Sequence, residues 1–261
     1  MSLPSNTTSS TNVFELLIPS HKYTVRIAQN RKEIEEALKL RFNVFNIELG
    51  EGLESSYEKE MDEDIYDVQC HHLIVIENNS SKVIGTYRMQ DNAMAKSGNG
   101  FYTQSEFDLT KFPADLLNNV VELGRACIHF DHRSGRVLYL LWRGLAKYLE
   151  IAKKRYLFGC CSITSQNPIE GHIVNNFLKD HDHIHPIYSI PVLKEYECGP
   201  SNTINSDSAN VKLPQLFRLY IDVGVKVCGG PALDKTFKTI DYLILLDKES
   251  ISEQSKALFL A

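Results

Sequence analysis

Residues 120–130, VVELGRACIHF, constrain the fold more than any other stretch of the chain. The run is apolar enough to be a buried central strand, yet it carries Glu122 and Arg125. Arg133-Ser134-Gly135 follows as a turn, and residues 136–154 read as a long amphipathic helix. A buried strand that feeds into such a helix is the unit of a layered α/β fold, because each element hides its apolar face on the other. A regular strand sends residues 122 and 125 to opposite faces, so a direct pair between them requires a bulge. Glu122 therefore has two readings. It is a general base toward an amine, directly or through water, or a structural carboxylate satisfied by backbone N–H groups or by another arginine such as Arg88.

The rest of the chain extends the same architecture. Residues 23–27 alternate like a short strand, and residues 31–45 place Ile34, Ala37, Leu38, Phe42 and Phe45 near helical spacing. Residues 72–77 and 82–89 read as a hairpin around Asn78-Asn79-Ser80-Ser81. Further strands are expected at 156–163 and 242–246, helices at 168–178 and 213–223, and loops at 91–100 and 200–210. Hairpins mixed with strand–helix alternation predict a mixed sheet flanked by helices. No repeat or composition break divides the chain, so residues 13–261 read as one domain behind a polar tail at 1–12. That tail lacks the basic start and apolar stretch of a secretory signal. No apolar run approaches the roughly 18 residues of a membrane span.

Several segments could carry chemistry. A glycine turn leading into a helix offers unpaired N–H groups and a partial positive charge, which suits a pyrophosphate or phosphopantetheine. Arg133 and Arg136 would add charge-assisted bonds; an ordinary turn with solvated arginines is the alternative. Arg143, Lys147, Lys153, Lys154 and Arg155 make the helix basic in a chain of formal net charge −5. Late cations suit a helix C-terminus, but such a face could also guide an acidic partner. The net charge argues against a general nucleic-acid binder. Arg88, inside a strand, calls for Asp64, Asp67 or a substrate carboxylate unless it faces outward. Residues 48–67 are strongly acidic, with Lys59 alone to offset them, and read as a solvated loop. The alternating His181, His183 and His185 read as a polar loop, and no metal site is expected. The six cysteines form no CxxC pair and read as reduced thiols of a cytosolic protein, with no covalent role for Cys127.

A resemblance rests on motifs in a fixed order. They are Leu40-Arg41-Phe42-Asn43-Val44-Phe45 with Glu48-Leu49-Gly50, residues 64–73 (DIYDVQCHHL), Val83-Ile84-Gly85-Thr86-Tyr87-Arg88, and Phe101-Tyr102 with Ser105-Glu106-Phe107-Asp108. Glu122-Leu123-Gly124-Arg125-Ala126-Cys127-Ile128-His129, Leu141-Trp142-Arg143-Gly144-Leu145 and Tyr156-Leu157-Phe158-Gly159-Cys160-Cys161-Ser162 complete the set. From about residue 35 to 247, and most weakly between 179 and 211, the chain resembles the ornithine-lipid synthase N-acyltransferases and long-chain N-acyl amino acid synthases. It is more distantly similar to the acyl-homoserine-lactone synthases.

The resemblance implies a GNAT fold. It also implies transfer of a long-chain acyl group from acyl carrier protein, or less often coenzyme A, to the α-amine of an amino acid such as ornithine. No permanently bound cofactor is implied. Arg41, Asp64, Asp67, Arg88, Glu122 and Arg125 match the family's charged set. The turn at 133–136 takes the pantetheine position but has one glycine, Gly135, followed by Arg136 and Val137, where the usual loop reads R/Q-x-x-G-x-G/A. The donor therefore stays open between carrier protein and coenzyme A.

The expected mechanism seats the thioester in a splay between strands 120–130 and 156–163. There the N–H groups of Ala126, Cys127 and Ile128 polarise its oxygen. Glu122 takes the proton, and Arg88 holds the acceptor carboxylate. Arg133, Gly135, Arg136, Arg143 and Lys147 receive the phosphopantetheine and the acidic carrier. A lipidic product implies contact with the inner membrane face. Ornithine would call for an acidic subsite, which the 48–67 run could supply. The rival readings are an acyl-homoserine-lactone synthase using S-adenosylmethionine and a non-catalytic lipid-binding module.

Overall fold

Strand pairing follows chain order through the first half of the protein. A computed structural model describes residues 15–200, 211–252 and 256. The tail at 1–12 and the expected loop beyond Pro200 lie outside them. β1 (Leu17–Pro19), β2 (Tyr23–Ile27), β3 (His71–Glu77), β4 (Val83–Asp91) and β5 (Val120–Ile128) pair successively and antiparallel. β6 (Tyr156–Ile163) joins β5 in parallel. β7 (Lys226–Val227) and β8 (Ala232–Asp234) both pair antiparallel with β9 (Thr239–Asp247), which itself lies antiparallel to β6. The sheet is mixed, as hairpins combined with a strand–helix–strand unit require.

The helices are α1 (Arg31–Phe42), α2 (Ser56–Lys59), α3 (Asn92–Ser97), α4 (Ala114–Asn118), α5 (Arg136–Ala152), α6 (Pro168–Asp180) and α7 (Gln215–Asp222). Strand alternation divides the core. Leu73 and Val75 pack with Val137, Leu141 and Leu145 of α5, whereas Ile74 packs with Ala37 and Leu40 of α1. α1 and α5 thus cover opposite faces of β3–β5.

Three local features shape the middle of the sheet. β5 and β6 pair only at Val120↔Tyr156, Val121↔Leu157 and Glu122↔Phe158, and then part. Gly159 marks the parting point, since a Cβ there would collide with the Leu123 carbonyl oxygen. β4 and β5 shift register between Thr86↔Cys127 and Arg88↔Gly124, so Tyr87 opposes both Arg125 and Ala126. This is the bulge that Glu122 and Arg125 would need to share a face, and Arg125 takes the rare left-handed φ of 51° to make it.

Other expectations changed on folding. The helix expected over 31–45 ends at Phe42 and continues as a π-helical turn, Asn43–Glu48. The loop expected at 91–100 contains α3, because the Asp91 carboxylate accepts from the N–H groups of Ala93 and Met94 and starts a helix. The acidic run is not a solvated loop throughout. Asp62 and Asp67 are buried, since buried arginines claim them. The histidine run is stitched to β7 through backbone bonds from Val227 to His183 and from His185 to Val227, each 2.8 Å.

Candidate active site

The parting of β5 and β6 opens a cavity of about 470 Å³. Leu123, Gly124, Ala126 and Ile128 form one wall, and residues 158–162 form the other. Its apolar half runs between α5 and α7, past Leu141, Leu145, Leu219 and Val223. Its polar half holds Arg88, Arg125, Tyr102 and Asp241. Gly135 and Leu138, at the start of α5, stand on the same wall.

Behind the polar half lies a buried ion network. Arg41 sits on the apolar stripe of α1 with no solvent exposure. Its Nε donates to Asp62 at 2.7 Å, and its Nη1 and Nη2 donate to Asp67 at 2.6 and 3.1 Å. Arg88 Nη1 donates to Asp64 at 2.6 Å and to Asp67 at 3.2 Å. Arg125 Nη2 donates to the other oxygen of Asp62. Three guanidiniums therefore face three carboxylates, which satisfies the rule that buried charges must be paired. Burial alone would raise the Asp62 carboxyl, but Arg125 and Arg41 hold it below the ordinary carboxylate range. Burial lowers His72, beside Asp67, to about 4, so it stays neutral.

Arg88 and Arg125 are the members of this network that reach the cavity. The Arg88 guanidinium lies over the rings of Tyr66 and Tyr102, at 5.6 and 5.8 Å. That of Arg125 lies over Phe237 at 3.9 Å, and its buried Nε has no hydrogen-bond partner. Gly124, opposite Arg88 in the ladder, leaves open space beside it.

Glu122 is buried and is held by three donors. Gln90 Nε2, its cross-strand neighbour, donates at 2.6 Å, and the N–H groups of Tyr102 and Thr103 donate at 3.1 and 2.8 Å. The bulge does not pair it with Arg125, and Arg88 goes to aspartates instead. Glu122 therefore anchors the turn that presents Tyr102, and it lies behind the cavity wall. Of the three N–H groups at 126–128, that of Ile128 faces the cleft, and Ala126, in the bulge, lines the same wall. His129 N–H donates to Ile84 on β4 at 2.9 Å, and ladder alternation puts Cys127 N–H on that same side. Burial pushes the Cys127 thiol up to about 12, so it is no nucleophile at neutral pH.

The first turn of α5 begins at Gly135, with φ 85°, and the first helical bond runs from Tyr139 N–H to Gly135. The N–H groups of Arg136, Val137 and Leu138 precede it and remain open to an anion. Arg133 lines the same cavity with its guanidinium already paired. It forms a bidentate pair with Glu48 and donates to the Ile128 carbonyl at 3.0 Å, tying the end of β5 to the π-helical turn. Arg136 is exposed at the turn. Arg143 and Lys147 lie about 10 and 16 Å further along α5. They line a different cavity with Ile18, Pro19 and Lys248, so the basic set does not converge on one spot.

A model of the acetyltransferase (GNAT) domain family matches residues 40–143. The L-ornithine N(alpha)-acyltransferase of Brucella abortus is 30% identical over 241 residues, covering 88% of this chain and 86% of the relative. This chain belongs to the L-ornithine N(alpha)-acyltransferase family. The member from Rhodobacter capsulatus is 28% identical over 246 residues, with 91% and 94% covered. Among solved structures, FeeM, an N-acyl amino acid synthase from uncultured soil microbes, superposes with a TM-score of 0.51 at 12% identity, covering 92% of this chain and 97% of that one. The AHL synthase LasI gives 0.50 at 15%, with 91% and 94% covered. These two likenesses concern the fold. Family membership makes the chain an acyltransferase with the expected GNAT architecture.

The structure thus brings Arg41, Asp64, Asp67, Arg88 and Arg125 into one network. Asp62, which completes it, is not legible as an individual residue. It lies among Met61, Glu63 and Asp64 in a run that reads as solvent-facing. The usable signal is Arg41 itself, an arginine on the apolar stripe of α1 that needs more than one carboxylate.

Proposed function

We propose that the protein transfers a long-chain acyl group from a phosphopantetheine thioester, carried by acyl carrier protein or by coenzyme A, to the α-amine of ornithine. The observation that carries this reading is the single cavity joining an apolar slot, the open N–H groups of α5 and a polar end with two arginines. The acyl chain lies between α5 and α7, where each buried methylene contributes about 0.8 kcal/mol. The pantetheine runs past Gly135, and its phosphate meets the first turn of α5 beside Arg136. The thioester oxygen faces the N–H group of Ile128, which stabilises the developing oxyanion. Arg125, through its unpartnered Nε, and Arg88 hold the acceptor carboxylate. Arg41, Asp62, Asp64 and Asp67 keep the two guanidiniums in place. The C–N bond forms as the C–S bond breaks, and the proton lost by the amine balances the one the leaving thiolate gains.

Glu122 acts as a positioning residue, through the Tyr102–Thr103 turn that its carboxylate holds. Arg143 and Lys147, away from the cleft, suit the surface of an acidic carrier. No helix among the described residues is long and apolar enough to cross a membrane, and a cytoplasmic enzyme meeting the inner membrane face with its product fits this function.

The test measures thiol release from an acyl-carrier thioester with ornithine as acceptor. Arg88→Ala and Arg125→Ala should raise the KM for ornithine while leaving that for the donor unchanged. Unaltered ornithine kinetics in both would sink the acceptor assignment. Glu122→Gln should lower kcat without moving its pH profile; loss of the acid limb would instead make Glu122 the proton acceptor.

A further inference from the structure

A second group of buried acids stands at the polar end of the same cavity, and nothing balances it. Asp241 and Cys160 line the cavity, and Glu106 stands against them with no solvent exposure. One oxygen of each carboxylate and the Cys160 sulfur lie within 4.8 Å of one another. Glu106 Oε1, Asp241 Oδ1 and the neighbouring Thr239 Oγ1 are buried and make no well-formed hydrogen bond; the side chains of Tyr102, Ser162 and Thr239 approach the two carboxyl groups without neutralising them. Asp234, across the ladder from Thr239, faces the group and accepts from Tyr102 Oη at 3.2 Å. Among the described residues no lysine or arginine pairs with Glu106, Asp234 or Asp241. Asp62, Asp64 and Asp67, by contrast, are each bound to a guanidinium. Burial raises Glu106 well above the usual carboxylate range, and Asp241 to about 6.

Carboxylate oxygens left bare in a low-dielectric wall are costly unless a cation arrives to meet them. The cavity can admit one, and its chemistry decides which. Glu106, Cys160 and Asp241 also match a three-ligand set for a metal, so chelation is one arm of the test below. An alkylammonium needs only acceptors, and Asp241, Glu106 and Thr239 supply them.

We infer that Glu106 and Asp241 form the subsite for the side-chain ammonium of the acceptor, and so make the enzyme selective for an amino acid with a terminal amine. This rests on the acyl-transfer reading of the cavity and names the specificity residues within it. Tyr102 joins the two poles of the acceptor site. Its ring lies under Arg88, at the carboxylate end, and its hydroxyl donates to Asp234, at the ammonium end. An acceptor stretched along Tyr102 meets opposite charges at its two ends and leaves its α-amine at the β5–β6 splay. A neutral side chain of the same length would leave the acids uncompensated, and that penalty is the basis of rejection. The acidic subsite that ornithine calls for is thus assigned to residues 106 and 241; in the 48–67 run Asp62, Asp64 and Asp67 are already bound to guanidiniums, and Glu51, which also lines the cavity, accepts from Thr164.

The experiment compares kcat/KM for ornithine and for norvaline, which has the same carbon chain without the terminal amine, using the full-length enzyme and a saturating acyl-carrier thioester. The wild type should favour ornithine by at least about 30-fold, the lower range for a desolvated charge pair. Glu106→Gln and Asp241→Asn should each collapse that ratio. An unchanged ratio in both variants overturns the subsite. Should the variants not fold, calorimetry on the wild type decides: ornithine binding at least tenfold tighter than norvaline or Nδ-acetylornithine supports the subsite, and equal binding overturns it. Preference that vanishes on chelation and returns with zinc also overturns it, in favour of a metal. A wild type that acylates norvaline and ornithine equally defeats the subsite alone. One that acylates no amino acid defeats the transfer reading itself.

Discussion

Replacing Asp241 with asparagine should stabilise the protein at neutral pH, and by an amount that depends on pH in a defined way. Burial, with Asp234 close by, raises the Asp241 carboxyl from an ordinary value of 3.8 to about 6. A rise of that size costs on the order of 3 kcal/mol in the ionised state. The sign follows from proton counts. Between pH 3.8 and 6 the folded state binds more protons at this site than the unfolded state, so stability falls as pH rises through that window. Above it the wild type carries the full penalty of a desolvated charge, and below it none. Asparagine is nearly isosteric and has no charge to desolvate. Denaturant titrations of both proteins at pH 4, 5, 6 and 8 would show the effect. The difference should be near zero at pH 4 and open to about 3 kcal/mol in favour of the variant at pH 8, with equal m-values. A variant less stable than the wild type by the same amount at every pH would refute the reasoning, because it would mean that the ionised carboxylate is well solvated or paired. The expected exchange of stability for selectivity is what a functional site built at a cost to the fold should show.

Two further substitutions probe the scaffold. Arg41→Met leaves Asp62 and Asp67 buried with half their partners gone, and should cost about 3–5 kcal/mol in chemical denaturation while releasing Arg88 and Arg125 from their fixed positions. Gly159→Ala drives a Cβ into the Leu123 carbonyl oxygen. Forcing β5 and β6 apart there should cost about 1–3 kcal/mol and lower the melting temperature by several degrees, and an unshifted melting curve would mean that the strands part elsewhere.

Much of the scaffold is legible in the residues. The strands at 156–163 and 23–27, the hairpin around residue 79 and the long helix after Gly135 follow from periods of two and 3.6 and from turn chemistry. β1, β7 and β8 are too short to show a period, and α3 depends on a cap that only Asp91 in place can make. At the site, the charged set could be named but its division of labour could not. Glu122 reads equally as a base or as a structural carboxylate until the turn at 101–103 arrives from elsewhere in the chain and places two N–H groups on it. Arg143 and Lys147 read as one basic face with Arg136, until the rise of the helix carries them to another cavity.

The sequence by itself determined a mixed α/β sheet and the presence of two charges, Glu122 and Arg125, inside an apolar strand, because local periodicity and a charge inside an apolar run are properties of neighbouring residues. Tertiary structure alone decided which charges are neutralised. Arg41, Arg88 and Arg125 find Asp62, Asp64 and Asp67 across loops, whereas Glu106 and Asp241, 135 positions apart, meet at the cleft with no lysine or arginine among the described residues to balance them. Pairing energy depends on distance and desolvation, and both are set only when the sheet closes β9 against β6 and the turn at 101–106 packs over them.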